Sequence, residues 1–210
     1  MKTNQMAAPE LAAVEIHGMS RGAFLARGAI AAGAAYGVGA VAPFVSNAVA
    51  QSSDVEIANF ALTLEYLEAA FYTEAASKVP GMSGDLKALV KEIRDNETEH
   101  VDALTAVVKQ LGGTPAMKPG VDFGNAFDSK DSFLKLANTF EDTGVSAYNG
   151  AAPGISSVQI LAAAGSIVQV EARHAALIRL QRGKSPAPLA FDKSSKAADV
   201  LAAVKPFIKG

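Results

Sequence analysis

The sequence predicts an all-α fold: a four-helix bundle with one long crossover between helices 2 and 3, plus a short C-terminal helix. Three observations lead there. Beyond residue 50, four long stretches repeat apolar residues at helical steps, punctuated by Gly, Pro and Ser. Two of the links between them are short and one is long. One constellation of Glu, Tyr, Glu and His also occurs twice along the chain.

The first helix is expected from Ser53 to Lys78, where Ile57, Phe60, Ala61, Leu64, Leu67, Ala70 and Phe71 recur every three or four residues. Val79-Pro80-Gly81 stops it, and Ser83 can cap a second helix that runs to about Leu111, before Gly112-Gly113. Ser129 or Asp131 opens a third, through Phe133, Leu136, Ala137 and Phe140 to Tyr148. Pro153-Gly154 breaks it, and a fourth runs from about Ser156 to Gln181.

The short links at 79–82 and 150–154 make antiparallel hairpins of helices 1 and 2 and of helices 3 and 4. The link from Gly112 to Asp128 holds Pro115 and Pro119 and, extended, reaches on the order of 55 Å. A helix of about 28 residues is only roughly 42 Å long. The link can therefore span the bundle and start helix 3 beside the start of helix 2, a single-crossover topology. After Gly183, Ser185-Pro186-Ala187-Pro188 reads as a connector. Ala197, Val200, Leu201, Val204 and Ile208 then predict a short fifth helix against the end of the bundle.

Residues 1–50 read differently. Ala23 to Ala50 carries almost no charge apart from Arg27, Arg21 and Arg27 flank the start of the apolar run, and Ala48-Val49-Ala50 is an A-x-A site before Gln51. That pattern is an export signal cleaved after Ala50. Ser20-Arg21-Gly22-Ala23-Phe24-Leu25 resembles a twin-arginine signal, with Gly22 in place of the second arginine. An uncleaved anchor is the competing reading, and the small-residue site favours cleavage. The expected layout is signal 1–50, bundle 51–183, connector and short helix 184–210, with the bundle periplasmic or secreted. Membrane contact is expected only through the signal.

Composition narrows the chemistry. The formal net charge of −2 provides no basic stripe for nucleic acid. Cysteine is absent, which excludes thiol catalysis, disulfides, iron–sulfur clusters and Cys-based zinc sites.

The candidate site lies in the repeat. Glu65 with Tyr72 recurs 76 residues later as Glu141 with Tyr148, and Glu97-x-x-His100 recurs 74 residues later as Glu171-x-x-His174. Three residues turn a helix by about 300°, so each Glu and its His point the same way and can reach one metal. Seven residues turn it by about 700°, which returns Tyr72 and Tyr148 to the ligand face. There a phenol can hydrogen-bond a ligating carboxylate or an incoming oxygen species. Four buried glutamates would repel one another, and two divalent ions balance them. Mixed carboxylate and imidazole ligation suits iron first and manganese second.

A lone Glu-x-x-His is commonly two solvated residues, but a second copy that takes the other histidine of the domain is improbable by chance. The expected ligands are Glu65, Glu97, His100, Glu141, Glu171 and His174. Glu68 lies one turn from Glu65 on nearly the same face. Glu65 is preferred because only it repeats the spacing to tyrosine, which leaves Glu68 as an alternative ligand or a neighbour of the ligands. Glu99 and Asp102 point elsewhere, as solvated residues. Tyr72 and Tyr148 are either participants or core aromatics with satisfied hydroxyls, and Arg94 and Arg173 either offset carboxylate charge or lie at the surface.

The stretches Leu64-Glu65-Tyr66-Leu67-Glu68-Ala69-Ala70-Phe71-Tyr72, Asn96-Glu97-Thr98-Glu99-His100 and Val170-Glu171-Ala172-Arg173-His174 resemble helices 1, 2 and 4 of the ferritin-like superfamily. Within it the chain resembles exported ferritin-like domain proteins, a branch that includes desiccation-related plant proteins. The resemblance covers roughly residues 54–182. It implies a carboxylate-bridged di-iron or di-manganese centre and no single reaction, since the superfamily spans ferroxidases, oxygenases, peroxidases and manganese catalases.

The leading expectation is an oxidoreductase that oxidises metal or reduces O2 or peroxide in oxidative or desiccation stress. Its partners are then metal ions and O2 or peroxide, and the chain can form a homo-oligomer. The alternatives are a non-enzymatic stress or structural bundle in which metal only staples the helices, and an iron-storage protein.

Overall fold

A computed structural model describes residues 53–209, and the expected signal at 1–50 lies outside them. The described chain runs α1 (Asp54–Lys78), α2 (Gly84–Gln110), β1 (Gly120–Val121), α3 (Lys130–Ala151), α4 (Val158–Gln181), α5 (Ala197–Val204) and β2 (Ile208–Lys209). Single 3-10 turns at Ala152–Gly154 and Lys205–Phe207 follow α3 and α5. None of the described helices is long and apolar enough to cross a membrane.

Serine starts every long helix. Ser53, Ser83, Ser129 and Ser157 each stand at an N-cap and accept from a backbone N–H in the first turn. Each oxygen satisfies a donor that would have no partner inside the helix, a contribution of about 1 kcal/mol. Ser129 rather than Asp131 opens α3, and α4 begins one cap later than Ser156. Asp54, the first residue of α1, reaches across the bundle and accepts from the backbone N–H of Ser156 and of Ser157 at 2.8 and 2.9 Å. One carboxylate thereby ties the start of α4 to the start of α1.

Cross-helix contacts set the directions. Val55 of α1 lies beside Gly113, just past the end of α2, so these two helices are antiparallel. Arg182 donates to Asn138 Oδ1 at 2.5 Å and Arg179 donates to Asp142, which makes α3 and α4 antiparallel as well. Phe71 near the end of α1 stacks on Phe133 near the start of α3. The crossover therefore runs the length of the bundle, from the end of α2 to the far end, as its length allows. Asn59 clamps it on the way: its amide donates to Thr114 O at 3.0 Å and accepts from Ala116 N at 2.7 Å.

The main core occupies one end. Phe71, Phe123, Phe127, Phe133 and Phe140 form a buried aromatic cluster from α1, the crossover and α3. Val200 and Val204 of α5 join the same core.

The fifth helix is shorter than its apolar period suggests. Pro206 cannot donate a backbone hydrogen bond, and the chain leaves the helix at Val204 to form β2. β2 pairs antiparallel with β1 in the crossover, Gly120 opposite Lys209 and Val121 opposite Ile208. A two-residue ladder between segments so distant in sequence has no local signature.

The connector before α5 lies on α3, where Ser195 N donates to Ser146 O at 2.9 Å and Asn149 donates to Lys193 O at 3.2 Å. Gly150 makes this possible, because a Cβ there would stand 1.9 Å from Ser195 O. In an ordinary helix interior Gly→Ala stabilises by up to about 1 kcal/mol. Gly150→Ala is expected to destabilise instead, by about 1–3 kcal/mol, since backbone must move to admit the methyl group. Chemical denaturation midpoints of the two chains decide the sign.

Candidate metal centre

The six expected residues converge in the middle of the bundle, with one or two from each long helix. Glu65, Glu97, Glu141 and Glu171 are all fully buried, and His174 and His100 nearly so. Their donor atoms fall into two interlocked quartets, Glu65, Glu97, His100 and Glu171 in one and Glu97, Glu141, Glu171 and His174 in the other. Within each quartet the donor atoms lie within 4.8 Å of one another. Glu97 and Glu171 belong to both. The Glu-x-x-His helices α2 and α4 thus supply the shared carboxylates, while α1 and α3 supply one private carboxylate each.

Both histidines turn Nδ1 inward. His100 Nδ1 stands 3.0 Å from Glu97, 3.1 Å from Glu171 and 3.3 Å from Glu65. His174 Nδ1 stands 2.9 Å from Glu97 and 3.6 Å from Glu141. On its outer side, His174 Nε2 meets the Asn96 amide at 3.0 Å. That contact sets the ring orientation, and no signal in the motif pointed to it.

The tyrosines act crosswise. Tyr72 of α1 donates to Glu141 Oε1 on α3, and Tyr148 of α3 donates to Glu65 Oε1 on α1 at 2.5 Å. Each phenol thus steadies the private carboxylate of the opposite helix. Burial, the charge of the bonded carboxylate and the hydrogen bond itself hold both hydroxyls well above the usual tyrosine range, so they stay protonated.

Glu68 also points inward. It is buried, its Oε2 has no hydrogen-bond partner, and it adds a fifth carboxylate to the cluster. Advancing Glu68 by the α1-to-α3 offset of 76 lands on Gly144. A Cβ at Gly144 would meet Glu171 Oε2 at 3.2 Å and Glu68 Oε1 at 3.3 Å. The second copy of the repeat therefore carries a glycine where the first carries a carboxylate, and the carboxylate fills that space. Glu99 and Asp102 are exposed, Arg94 pairs with Asp95 at 2.6 Å, and Arg173 is exposed.

The electrostatics are those of an uncompensated acid cluster. Burial first, and then mutual repulsion, push Glu68, Glu97 and Glu141 well above the usual carboxylate range, and Glu171 up to about 7. Burial opposes charge on His100, but the facing carboxylates of Glu171, Glu65 and Glu97 outweigh it and raise this imidazole to about 12. Burial and the nearby His100 charge lower His174 to about 4. Glu97 Oε1, Glu141 Oε2, both oxygens of Glu171 and His174 Nδ1 lack an aligned hydrogen-bond partner. Orphaned buried acceptors are costly, at about 1–3 kcal/mol each. Their clustering is compatible with bound metal, whose positive charge would satisfy several of them at once.

A pH dependence follows for the metal-free chain. Groups whose folded pKa exceeds the unfolded value lose stability as pH rises through that range. His100 does so from 6.5 upward, Glu171 up to about 7, and Glu68, Glu97 and Glu141 add to the same trend. His174 opposes them only below 6.5, its ordinary value. Metal-free protein is therefore expected to melt at lower temperature as pH rises from 6.5 to about 9. Metal affinity is expected to rise over the same interval, because binding displaces those protons. Melting with and without added metal across the range checks both slopes.

A search of curated proteins finds no match to this sequence. The sequence model of the family described as ferritin-like domain matches residues 53–184, from the cap of α1 to just past α4. The match spans the whole bundle and all six residues of the two quartets, and on it the chain belongs to the ferritin-like domain family.

Proposed function

We propose that the bundle binds a carboxylate-bridged dinuclear centre, iron by preference and manganese second, and works as an oxidoreductase toward O2 or peroxide outside the cytoplasm. The observation that carries this reading is the pair of quartets joined through Glu97 and Glu171. Six donors in two overlapping sets, all buried, suit two ions side by side rather than one. The fold and its metal-compatible cluster stand independently of the reaction.

When bound, two Fe(II) or Mn(II) ions supply two electrons together, enough to take O2 and two protons to hydrogen peroxide, or peroxide and two protons to two waters. Glu97 and Glu171 would be shared between the two ions, with Glu65 and His100 holding one and Glu141 and His174 the other. Tyr148 and Tyr72 hold Glu65 and Glu141 by Oε1, and the Oε2 of each, which faces a histidine Nδ1, is the oxygen that would ligate. Asn96 fixes the His174 ring through Nε2, so that Nδ1 faces the site. Glu68, buried with one oxygen unpartnered, stands beside these carboxylates as a further acidic side chain. Export through residues 1–50 would place this chemistry where oxidants arrive first, in keeping with a role in oxidative or desiccation stress.

The test is anaerobic loading with Fe(II) or Mn(II), elemental analysis of the ions retained, and then addition of O2 or peroxide. Two ions per chain and a new visible absorbance on oxidation support the proposal. A folded chain that retains no metal overturns it, and metal that is retained without any oxidation reduces the ions to a structural staple.

A further inference from the structure

The two tyrosines sit in unlike surroundings. Over Tyr72 the bundle is packed solid: Phe71 meets its ring edge-on at 5.3 Å and Phe133 at 6.2 Å, with Phe140 against Phe71 at 5.0 Å. Over Tyr148 lies an apolar pocket of about 30 Å³, room for one small molecule, partly open to solvent and walled by α1, α2, α3 and α4. The repeat explains the difference. By the same offset of 76 residues, Phe71 corresponds to Ala147, Phe133 to Ile57 and Phe140 to Leu64. Ala147, Ile57 and Leu64 all line the pocket. Three phenylalanines that plug one end of the site are replaced by smaller side chains at the other.

Six of the fourteen lining residues are alanine, and Tyr148 alone among them carries a polar side-chain atom. Its hydroxyl is already committed to Glu65 Oε1. Peroxide entering here would give up hydrogen bonds to water and find no partner, a cost of about 1–3 kcal/mol for each group. Dioxygen has no such bonds to lose and partitions into apolar space.

We infer that the apolar pocket over Tyr148 is the holding site and entry path for dioxygen, which reaches the metal pair from the Glu65 side. The inference rests on the proposed dinuclear centre and narrows its oxidant to O2. Peroxide, being polar, does not use this path.

The experiment compares wild type with Ala147→Phe, which restores the aromatic plug, and with Ile57→Phe as a second variant should the first not fold. Xenon, detected in pressurised crystals or by xenon NMR, reports the pocket without metal. It should occupy the wild-type pocket and be lost from the plugged variant. In Fe(II)-loaded protein, oxidation by O2 should slow by about tenfold or more, while oxidation by peroxide changes by less than about twofold at equal metal content. Equal slowing with both oxidants, no slowing with either, or a wild-type pocket that takes no xenon overturns the inference. An alkyl-chain molecule found filling the purified pocket would also overturn it. A chain that takes up no iron defeats the dinuclear reading itself, a result distinct from a loaded chain whose O2 rate ignores the plug.

Discussion

Replacing Glu97 with alanine is expected to strip both ions from the site, whereas replacing Glu65 is expected to cost one. Glu97 belongs to both quartets and Glu65 to only one. Loss of a single partner that merely orients a metal ligand weakens binding by about 10–100-fold, and loss of a shared ligand should exceed that at both positions. His174→Ala should resemble Glu65→Ala, emptying the position it completes and leaving its neighbour weakened. Glu99→Ala, on an exposed side chain between Glu97 and His100 that points away from the site, should change nothing. The obvious confounder is unfolding, and a volume-keeping substitution answers it. Glu97 in the metal-free chain is a buried side chain bonded to His100 at 3.0 Å, so truncation to alanine also leaves a cavity. Glu97→Gln keeps the volume and removes the charge, and in metal-free form it should melt no lower than metal-free wild type while still losing both ions. Elemental analysis after dialysis, read beside that melting curve, separates ligand loss from collapse. Equal loss in Glu65→Ala, Glu97→Ala and Glu99→Ala would refute the quartets.

Much of this site could be read from one helix at a time. The Glu-x-x-His spacing fixes two side chains on one face whatever the helix packs against, and the serine caps mark the helix starts within a residue or two. The inward direction of Glu68 was visible in the same way, as a near neighbour of Glu65. What Glu68 faces was not, because Gly144 becomes relevant only once α1 and α3 lie side by side. The partnership of Asn96 with His174 likewise depends on the stagger between α2 and α4. The crossed pairing of Tyr72 with Glu141 and Tyr148 with Glu65 depends on α1 and α3 being antiparallel. The same holds at the C-terminus, where Ile208 fits the helical period yet lies in a strand whose partner is Val121 in the crossover. Non-local pairing of this kind overrides a period read over a dozen residues.

Removing metal from the whole protein should lower its melting temperature far more than any single surface substitution. An ion present at 100 times its dissociation constant stabilises the folded state by about 2.7 kcal/mol, so two such ions contribute about 5 kcal/mol. For a domain of this size each kcal/mol moves the midpoint by about 2–4 °C, which puts the expected fall on chelation at roughly 10–20 °C. The pH at which the comparison is made matters. Near pH 6 protons occupy the acid cluster and substitute in part for the missing ions. Above about 8 the metal-free cluster must either ionise against its own repulsion or hold protons against the solvent, so the gap between loaded and stripped protein should widen. Glu68→Gln discriminates further. It removes the carboxylate that has no counterion in a neutral four-glutamate, two-ion site, so the stripped protein should gain stability at high pH while the loaded protein keeps both ions. If chelation leaves the midpoint unchanged at every pH, the cluster is held by protons alone and the buried glutamates are not metal ligands.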